Sequence, residues 1–173
     1  MKKSNFSLLK KDYLKYLKKQ EILGQPFKDK HEQLENYYIP ISKLIYQNYL
    51  IKKKVTFIGL SGAQGSGKTT ITEILKIILK EKYNLNTVSF SIDDFYKTLS
   101  ERKRLSKNSH KLFLTRGVPG THDLKLLSKT FKNLQKKFFT KFTIPKFDKS
   151  KDDRMTKRKW TNINRKPEIV IFE

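Results

Sequence analysis

Residues 62–70 read Gly62-Ala63-Gln64-Gly65-Ser66-Gly67-Lys68-Thr69-Thr70. This stretch matches the pattern GxxxxGK[ST], in which successive backbone N–H groups surround the phosphates of a nucleotide. The pattern needs glycine because side chains would block that approach and because some positions require a positive φ. We expect all of these residues to line a nucleotide site, with Lys68 at the β- and γ-phosphates and the hydroxyl of Thr69 on Mg²⁺.

The segments on either side of this loop agree with that interpretation. Residues 54–60 (KVTFIGL) form a short β-branched and apolar run that predicts a buried parallel strand. Residues 69–83 carry apolar side chains at helical spacing. The N-terminus of such a helix attracts anions, so the order strand, loop, helix is the one that phosphate binding requires. A chance glycine-rich turn is the alternative, and the two flanking elements argue against it.

A second predicted strand, residues 86–92 (NTVSFSI), ends in Asp93-Asp94-Phe95-Tyr96. In an open α/β sheet, ligands bind beyond the carboxyl ends of the strands, where the phosphate loop also lies. We therefore expect Asp93 to accept the proton of a phosphoryl acceptor's hydroxyl group. The alternative is that an aspartate merely caps the following helix, and we favour that alternative for Asp94.

Five segments follow one another along the chain, namely GAQGSGKTT, SIDDFY, RGVPGTHDL, IPKFDKSKDDR and IVIFE. Together they resemble the D-glycerate 3-kinase family and its uncharacterised bacterial and fungal relatives, within the wider group of uridine kinase, phosphoribulokinase and pantothenate kinase. The resemblance extends from Lys54 to Glu173. It implies an α/β P-loop NTPase fold of the nucleoside and NMP kinase type with a mostly parallel sheet. It also implies ATP- and Mg²⁺-dependent phosphorylation of a small hydroxylated acid, with D-glycerate as the leading acceptor and 3-phosphoglycerate as the product.

The resemblance implies roles for individual residues as well. Lys68, Asp93 and Arg116 carry over as catalytic residues, with Asp93 as the base. Thr69 and Glu173 carry over as the residues near the metal. The candidates for substrate binding are Asp94, Tyr96, Arg116, His122, Asp123, Asp148, Asp153 and Arg154.

Several of these candidates have an ordinary structural alternative. Asp123 precedes a helix predicted over residues 124–138, where it would be a suitable N-cap. His122 could be a hydrogen-bonded loop histidine, and the charged residues of segment 148–154 could form a solvated cluster. Arg116 is the stronger candidate because a planar guanidinium suits a carboxylate or a phosphate.

Residues 167–173 (PEIVIFE) predict a buried strand that ends in an acid, and Glu173 would act near Mg²⁺ directly or through water. In the family, this acid is followed by a lid with arginines and by further strands. We therefore expect an incomplete sheet whose phosphate-loop strand lies at an exposed edge. Self-association or a partner could complete it.

The chain has 173 residues, no cysteine and a net charge of +23. Residues 1–50 predict a helical extension with helices over 6–20 and 31–50, a break at Gly24-Gln25-Pro26 and an interruption at Pro40. Residues 51–173 would form the kinase core. The N-terminus has no long apolar stretch, so we expect neither a signal peptide nor a membrane span, and we expect a cytoplasmic protein with a small-molecule substrate.

The positive charge supports a second class of function, the binding of nucleic acid or another polyanion. Its best segments are residues 132–141 (KNLQKKFFTK) and 157–166 (KRKWTNINRK). Because lysine is spread along the whole chain and arginine is scarce, we interpret such binding as incidental. A kinase for a nucleoside or a pantothenate-like alcohol, and an NTP-dependent switch, are further alternatives.

Overall fold

The computed structural model describes residues 3–22, 24 and 26–173. The contacts between residues group the chain into two compact units. Unit 1 comprises the residues up to Ser89 together with Pro167–Ile171 and Glu173, and unit 2 comprises Phe90–Lys166 and Phe172. This grouping differs from the predicted division at residue 50, which stays a prediction. Four residues of the predicted extension and its break lie outside the described residues, namely Met1, Lys2, Leu23 and Gln25.

Helices and short strands alternate along the described chain. The α-helices are α1 (Lys3–Glu21), α2 (Lys30–Gln33), α3 (Ile39–Lys52), α4 (Lys68–Tyr83), α5 (Leu99–Asn108) and α6 (Leu124–Gln135). The strands are β1 (Thr56–Gly59), β2 (Thr87–Phe90), β3 (Phe142–Ile144), β4 (Phe147–Asp148), β5 (Asp153–Arg154), β6 (Thr161–Ile163) and β7 (Ile169–Phe172). A π-helical turn spans Leu34–Tyr38, and 3₁₀ turns span Ile92–Phe95, Lys111–Leu114 and Lys157–Lys159.

Unit 1 is built on a parallel three-stranded sheet with the order β1-β7-β2. The central strand β7 pairs with β1 on one side and β2 on the other, and its apolar side chains are buried, with Ile169 and Ile171 packed against α4. The backbone of Glu168 continues both pairings, since its carbonyl accepts from Thr56 N at 2.9 Å and its N–H donates to Asn86 O at 3.0 Å. The P-loop NTPase fold predicted from the sequence is confirmed, and β1 lies at one edge of the described sheet.

The helix α4 that follows the phosphate loop is buried on two faces. One face packs with Leu75 and Leu79 against Ile169 and Ile171 of β7. The other face packs against the N-terminal helices in a cluster of buried side chains formed by Leu9, Tyr13, Leu17, Leu34, Ile74 and Ile78. The three α1 residues in this cluster recur every four positions, as one face of a helix requires. The N-terminal helices are therefore part of the same core as the phosphate-loop helix.

The predicted interruption at Pro40 takes the form of a change in helix type. The π-helical turn ends at Tyr38, and α3 begins at Ile39 with Pro40 in its first turn. Proline has no N–H to bond to the preceding turn, and the N–H of Ile39 bonds to Leu34 O, five residues back, so the helix continues through a π-type turn. None of the helices that the structure describes is long and apolar enough to cross a membrane.

Unit 2 combines α5 and α6 with two small antiparallel ladders. β3 pairs with β6, with Phe142 opposite Ile163, and β4 pairs with β5, with Asp148 opposite Asp153. The sequence interpretation did not include α5, although Thr98 and Glu101 form a reciprocal capping box at its start. Helix α6 ends at Gln135 and not at residue 138, because the backbone becomes extended at Lys136.

Candidate active site

The phosphate loop has the backbone shape that its sequence predicts. Gly65 and Gly67 have φ values of 78° and 79°, which favour glycine. A Cβ atom on Gly62 would lie 2.8 Å from Ser66 Oγ, so this position also excludes a side chain unless Ser66 moves. The loop is exposed, and α4 begins directly after Gly67. It therefore presents backbone N–H groups at a helix N-terminus, the arrangement that binds phosphates.

Lys68 and Thr69 stand at the start of α4. Lys68 Nζ donates to the carbonyl oxygens of Gly62 at 2.7 Å and Ala63 at 2.8 Å, which holds its charge over the loop. Thr69 Oγ1 donates to Glu173 Oε2 at 3.2 Å, so the two predicted metal residues are neighbours. Among the described residues, no group of three or more His, Cys, Asp or Glu could hold a metal. A hydroxyl and one carboxylate nevertheless suit Mg²⁺, which takes most of its ligands from water and phosphate oxygens.

Tyr16 is a contact of this loop that sequence reasoning missed. Its side chain hydrogen-bonds with the side chain of Thr70, the last residue of the phosphate-loop motif. Burial raises the pKa of Tyr16, the hydrogen bond with Thr70 lowers it, and the charges of Glu73 and Glu173 raise it further. Helix α1 thus reaches the start of α4, a contact that no local pattern could reveal.

Asp93 lies in the 3₁₀ turn that follows β2. Its Oδ2 atom lies 2.8 Å from Nζ of Lys149, and it also accepts a hydrogen bond from Tyr96. Burial raises the pKa of Asp93, but the hydrogen bond and charge of Lys149, with the Tyr96 hydrogen bond, outweigh burial and hold the pKa below its usual range. Asp93 is therefore an ionised carboxylate at neutral pH, as a proton acceptor must be.

Asp94 has different surroundings from its neighbour. Its Oδ2 accepts from Ser91 N at 3.1 Å in a reciprocal capping box and lies 3.2 Å from Lys146 Nζ. Its Oδ1 accepts from Phe147 N at 3.3 Å. The side chain is buried, and both of its oxygens are bound by protein donors. Asp94 thus caps the turn from its third position, with Ser91 and not Asp94 as the N-cap, and its predicted contact with substrate stays a prediction.

Tyr96 and His122 form a stacked pair beside Asp93. Their ring centroids lie 4.2 Å apart, and a backbone bridge joins the two residues. Burial lowers the pKa of His122, the charge of Asp93 raises it and the charge of Lys97 lowers it, with a net decrease. His122 is thus neutral at pH 7. Burial raises the pKa of Tyr96, and the charge and hydrogen bond of Asp93 add to that effect.

Three of the predicted substrate residues hold the protein backbone around this cluster. Asp123 caps α6 by accepting from Leu126 N at 3.0 Å, as its structural alternative predicted. Arg154 donates to Tyr96 O from Nε at 3.0 Å and from Nη2 at 2.7 Å, and its Nη2 lies 3.3 Å from Asp123 Oδ2. Asp153 Oδ1 accepts from Leu99 N, at the start of α5, at 2.8 Å. These side chains fix the positions of neighbouring site residues.

Two arginines share the carboxylate of Asp152. Arg116 Nε lies 2.9 Å from Asp152 Oδ1, and its guanidinium lies 5.3 Å from the ring of Phe147. Arg102 Nη2 lies 3.0 Å from Asp152 Oδ2. Arg102 is fully buried, whereas Arg116 is 32% exposed. Arg116 is therefore the one of the two that a dissolved ligand can reach, and the sequence did not single out Arg102.

Replacing Arg102 with methionine should lower the free energy of unfolding by about 3 kcal/mol. The variant removes donors to the carbonyl oxygens of Lys97 at 3.3 Å and Leu114 at 2.6 Å and leaves them without that partner. Urea unfolding measures the loss. Arg104→Met is the matched control because Arg104 is exposed on the same helix, and it should change stability by less than about 0.5 kcal/mol. Equal losses in both variants would contradict the structural role of Arg102.

Comparison with known proteins identifies the family. The model of the phosphoribulokinase / uridine kinase family matches residues 57–173. The chain belongs to this family. It is 40% identical to the "Uncharacterized kinase mug58" of Schizosaccharomyces pombe over 67% of this chain and 44% of that protein. Among solved structures, the YGR205w protein has a TM-score of 0.67 and 33% identity, and the D-glycerate 3-kinase of Cryptococcus neoformans has a TM-score of 0.66 and 25% identity.

The comparisons confirm the resemblance found in the sequence, because D-glycerate 3-kinase is among the structural neighbours of this family member. Each of the two solved proteins matches 79% of this chain, and the match covers 51% of the solved protein. The chain therefore spans about half the length of these relatives. The Thr69–Glu173 pair lies within the region matched to the family.

Proposed function

We propose that this chain belongs to an ATP-dependent kinase that phosphorylates a small hydroxylated acid, with D-glycerate as acceptor and 3-phosphoglycerate as product. The observation that carries the proposal is the cluster around Asp93, which combines an ionised carboxylate, the stacked Tyr96–His122 pair and a loop cation in a chain with a phosphate loop. The similarity to a D-glycerate 3-kinase supports this choice of acceptor.

Each residue has a definite task in this proposal. Lys68 and the loop N–H groups would hold the phosphates, and Thr69 with Glu173 would hold Mg²⁺. ATP would supply the phosphoryl group, and Mg²⁺ would neutralise charge on its oxygens. Asp93 would orient the acceptor hydroxyl and accept its proton.

Arg116 favours an acidic acceptor over a neutral one. Its guanidinium is partly exposed and is held in one orientation by Asp152 and Phe147. Asp152 faces only its Nε, and a planar fork of donors pairs well with an acceptor's carboxylate, which a neutral alcohol does not supply. For this reason we place a nucleoside or a pantothenate-like alcohol second as the acceptor.

Incubation of the purified chain with MgATP and separate acceptors tests the proposal. Phosphorus NMR should show a new phosphomonoester with D-glycerate, weaker transfer to other hydroxy acids, and none to uridine or pantothenate. Transfer to uridine with none to any hydroxy acid would contradict the proposed acceptor. Lys68→Ala is the control for contaminating enzymes that use ATP, because this variant should abolish the phosphomonoester signal.

Nucleic-acid binding through the positive charge is expected to be incidental. The lysine-rich stretch at the end of α6 includes an exposed phenylalanine, Phe138, so contact with polyanions at low salt is expected. Filter binding of DNA and RNA should disappear steeply as salt rises to physiological levels. Binding that persists there with a preferred sequence would instead favour nucleic-acid recognition as the main role.

A further inference from the structure

Lys149 lies in the turn between β4 and β5, and its side chain extends to Asp93. Its ammonium lies 2.8 Å from Asp93 Oδ2. The lysine side chain is 69% exposed and the aspartate side chain 35%. Ion pairs this exposed contribute little to stability because water competes for both charges. The contact can therefore be broken at little cost when another anion reaches the lysine.

The backbone that carries Lys149 is fixed on both sides. Asp148 Oδ1 accepts from Ser150 Oγ at 2.6 Å, Ser150 N at 3.0 Å and Lys151 N at 3.3 Å, which closes a tight turn around Lys149. The buried Phe147 precedes this turn and donates its N–H to Asp94. Asp148, a predicted substrate residue, thus shapes the turn, and only the long side chain of Lys149 can change its direction easily.

The charged and titratable groups that face Asp93 differ in whether other parts of the protein already bind them. Tyr96 donates a hydrogen bond to Asp93, and neutral His122 stacks on Tyr96. The ammonium of Lys97 is engaged by the carbonyl oxygens of Gly120 and His122. Within the described part of the chain, Lys149 is the only cation that forms an ion pair with Asp93.

We propose that Lys149 is a specificity-determining residue of the acceptor site. In the free protein its ammonium pairs with Asp93. When an acidic acceptor binds, the ammonium turns to the acceptor's carboxylate and leaves Asp93 Oδ2 to the acceptor's hydroxyl group. The acceptor's own carboxylate therefore releases Asp93 from Lys149. A neutral alcohol has no carboxylate and cannot do so. This inference rests on the proposed function, and it assigns a residue that the resemblance did not supply.

The variant Lys149→Gln tests the exchange, with Lys151→Gln as the matched control. Lys151 is an exposed lysine in the same turn, and its ammonium forms no ion pair in the described structure. Carbon-13 NMR of the side-chain carboxyl groups should show a higher pKa for Asp93 in Lys149→Gln and no change in Lys151→Gln. NMR titrations should show D-glycerate affinity reduced roughly ten- to a hundredfold in Lys149→Gln only. Glycerol, which cannot displace Lys149 from Asp93, should bind Lys149→Gln at least as well as Lys151→Gln.

Two results would overturn the inference while leaving the proposed function intact. One is an unchanged Asp93 titration in Lys149→Gln, and the other is unchanged D-glycerate affinity in that variant when the parent binds D-glycerate. A parent that binds no hydroxy acid would contradict the proposed function, and the inference would be wrong with it. Proton–nitrogen spectra of both variants verify that the fold is retained.

Discussion

Replacing Asp93 with asparagine should lower the rate of phosphoryl transfer to D-glycerate by roughly two to four orders of magnitude. Asparagine keeps the size of the side chain but cannot take the acceptor's proton. The affinity for MgATP should stay within about a factor of three, because Asp93 is expected to act on the acceptor. Single-turnover kinetics and calorimetry of the same preparations measure the two quantities.

Asp94→Asn separates a chemical role from a structural one. Asp94 accepts from Ser91 N and Phe147 N and pairs with Lys146, so its variant should lose stability and keep most of its transfer rate per folded molecule. Comparable losses of rate at both positions would indicate that the carboxylates serve the metal or the fold. Because Lys149 and Tyr96 hold the pKa of Asp93 below its usual range in the free protein, the acid limb of the kcat/KM profile should lie at lower pH in the parent than in Lys149→Gln.

Lys68→Ala should weaken MgATP binding by about a hundredfold, roughly 2 to 3 kcal/mol for a charge-assisted contact. The ammonium now bound to two loop carbonyls is the charge that would meet the phosphates. The fold should survive, because those carbonyls are in an exposed loop where water can replace the lysine. Isothermal calorimetry measures the affinity.

Lys76→Ala is the matched control for that prediction. Lys76 lies on the same helix and pairs with Glu73 at 2.7 Å, so its removal changes the net charge equally without touching the loop. Its MgATP affinity should remain within about a factor of two of the parent. Equal affinity of Lys68→Ala and the parent would show that the nucleotide site is wrongly assigned.

The features that the sequence predicted are those with a local signature. The strand, glycine loop and helix around Lys68 follow from periodicity and from the chemistry of the loop, and β7 follows from a continuous apolar run. The capping role of Asp123 follows from its place directly before a helix start. In each case a few adjacent residues determine the structure.

The features that the sequence did not predict depend on residues far apart in the chain. Arg102 lies in the polar stretch LSERKRLSKN, which predicts a surface arginine. Its contact with Asp152, which is 50 residues away in the chain, is visible only in the structure. The pairs Lys149–Asp93 and Tyr16–Thr70 are of the same kind. Periodicity and propensity describe neighbours along the chain, so they cannot select one charged partner among 39 lysines and arginines.

The order of strands in the sheet has a consequence for biosynthesis. β1 and β2 leave the ribosome first, yet their common partner β7 follows only after the whole segment of unit 2 has been translated. Until then two apolar strands have no central strand to pair with, although α1 and α4 can already associate. The pairing of β7 with β1 and β2, and with it the position of Glu173 beside Thr69, thus forms only after the segment of unit 2 has been translated.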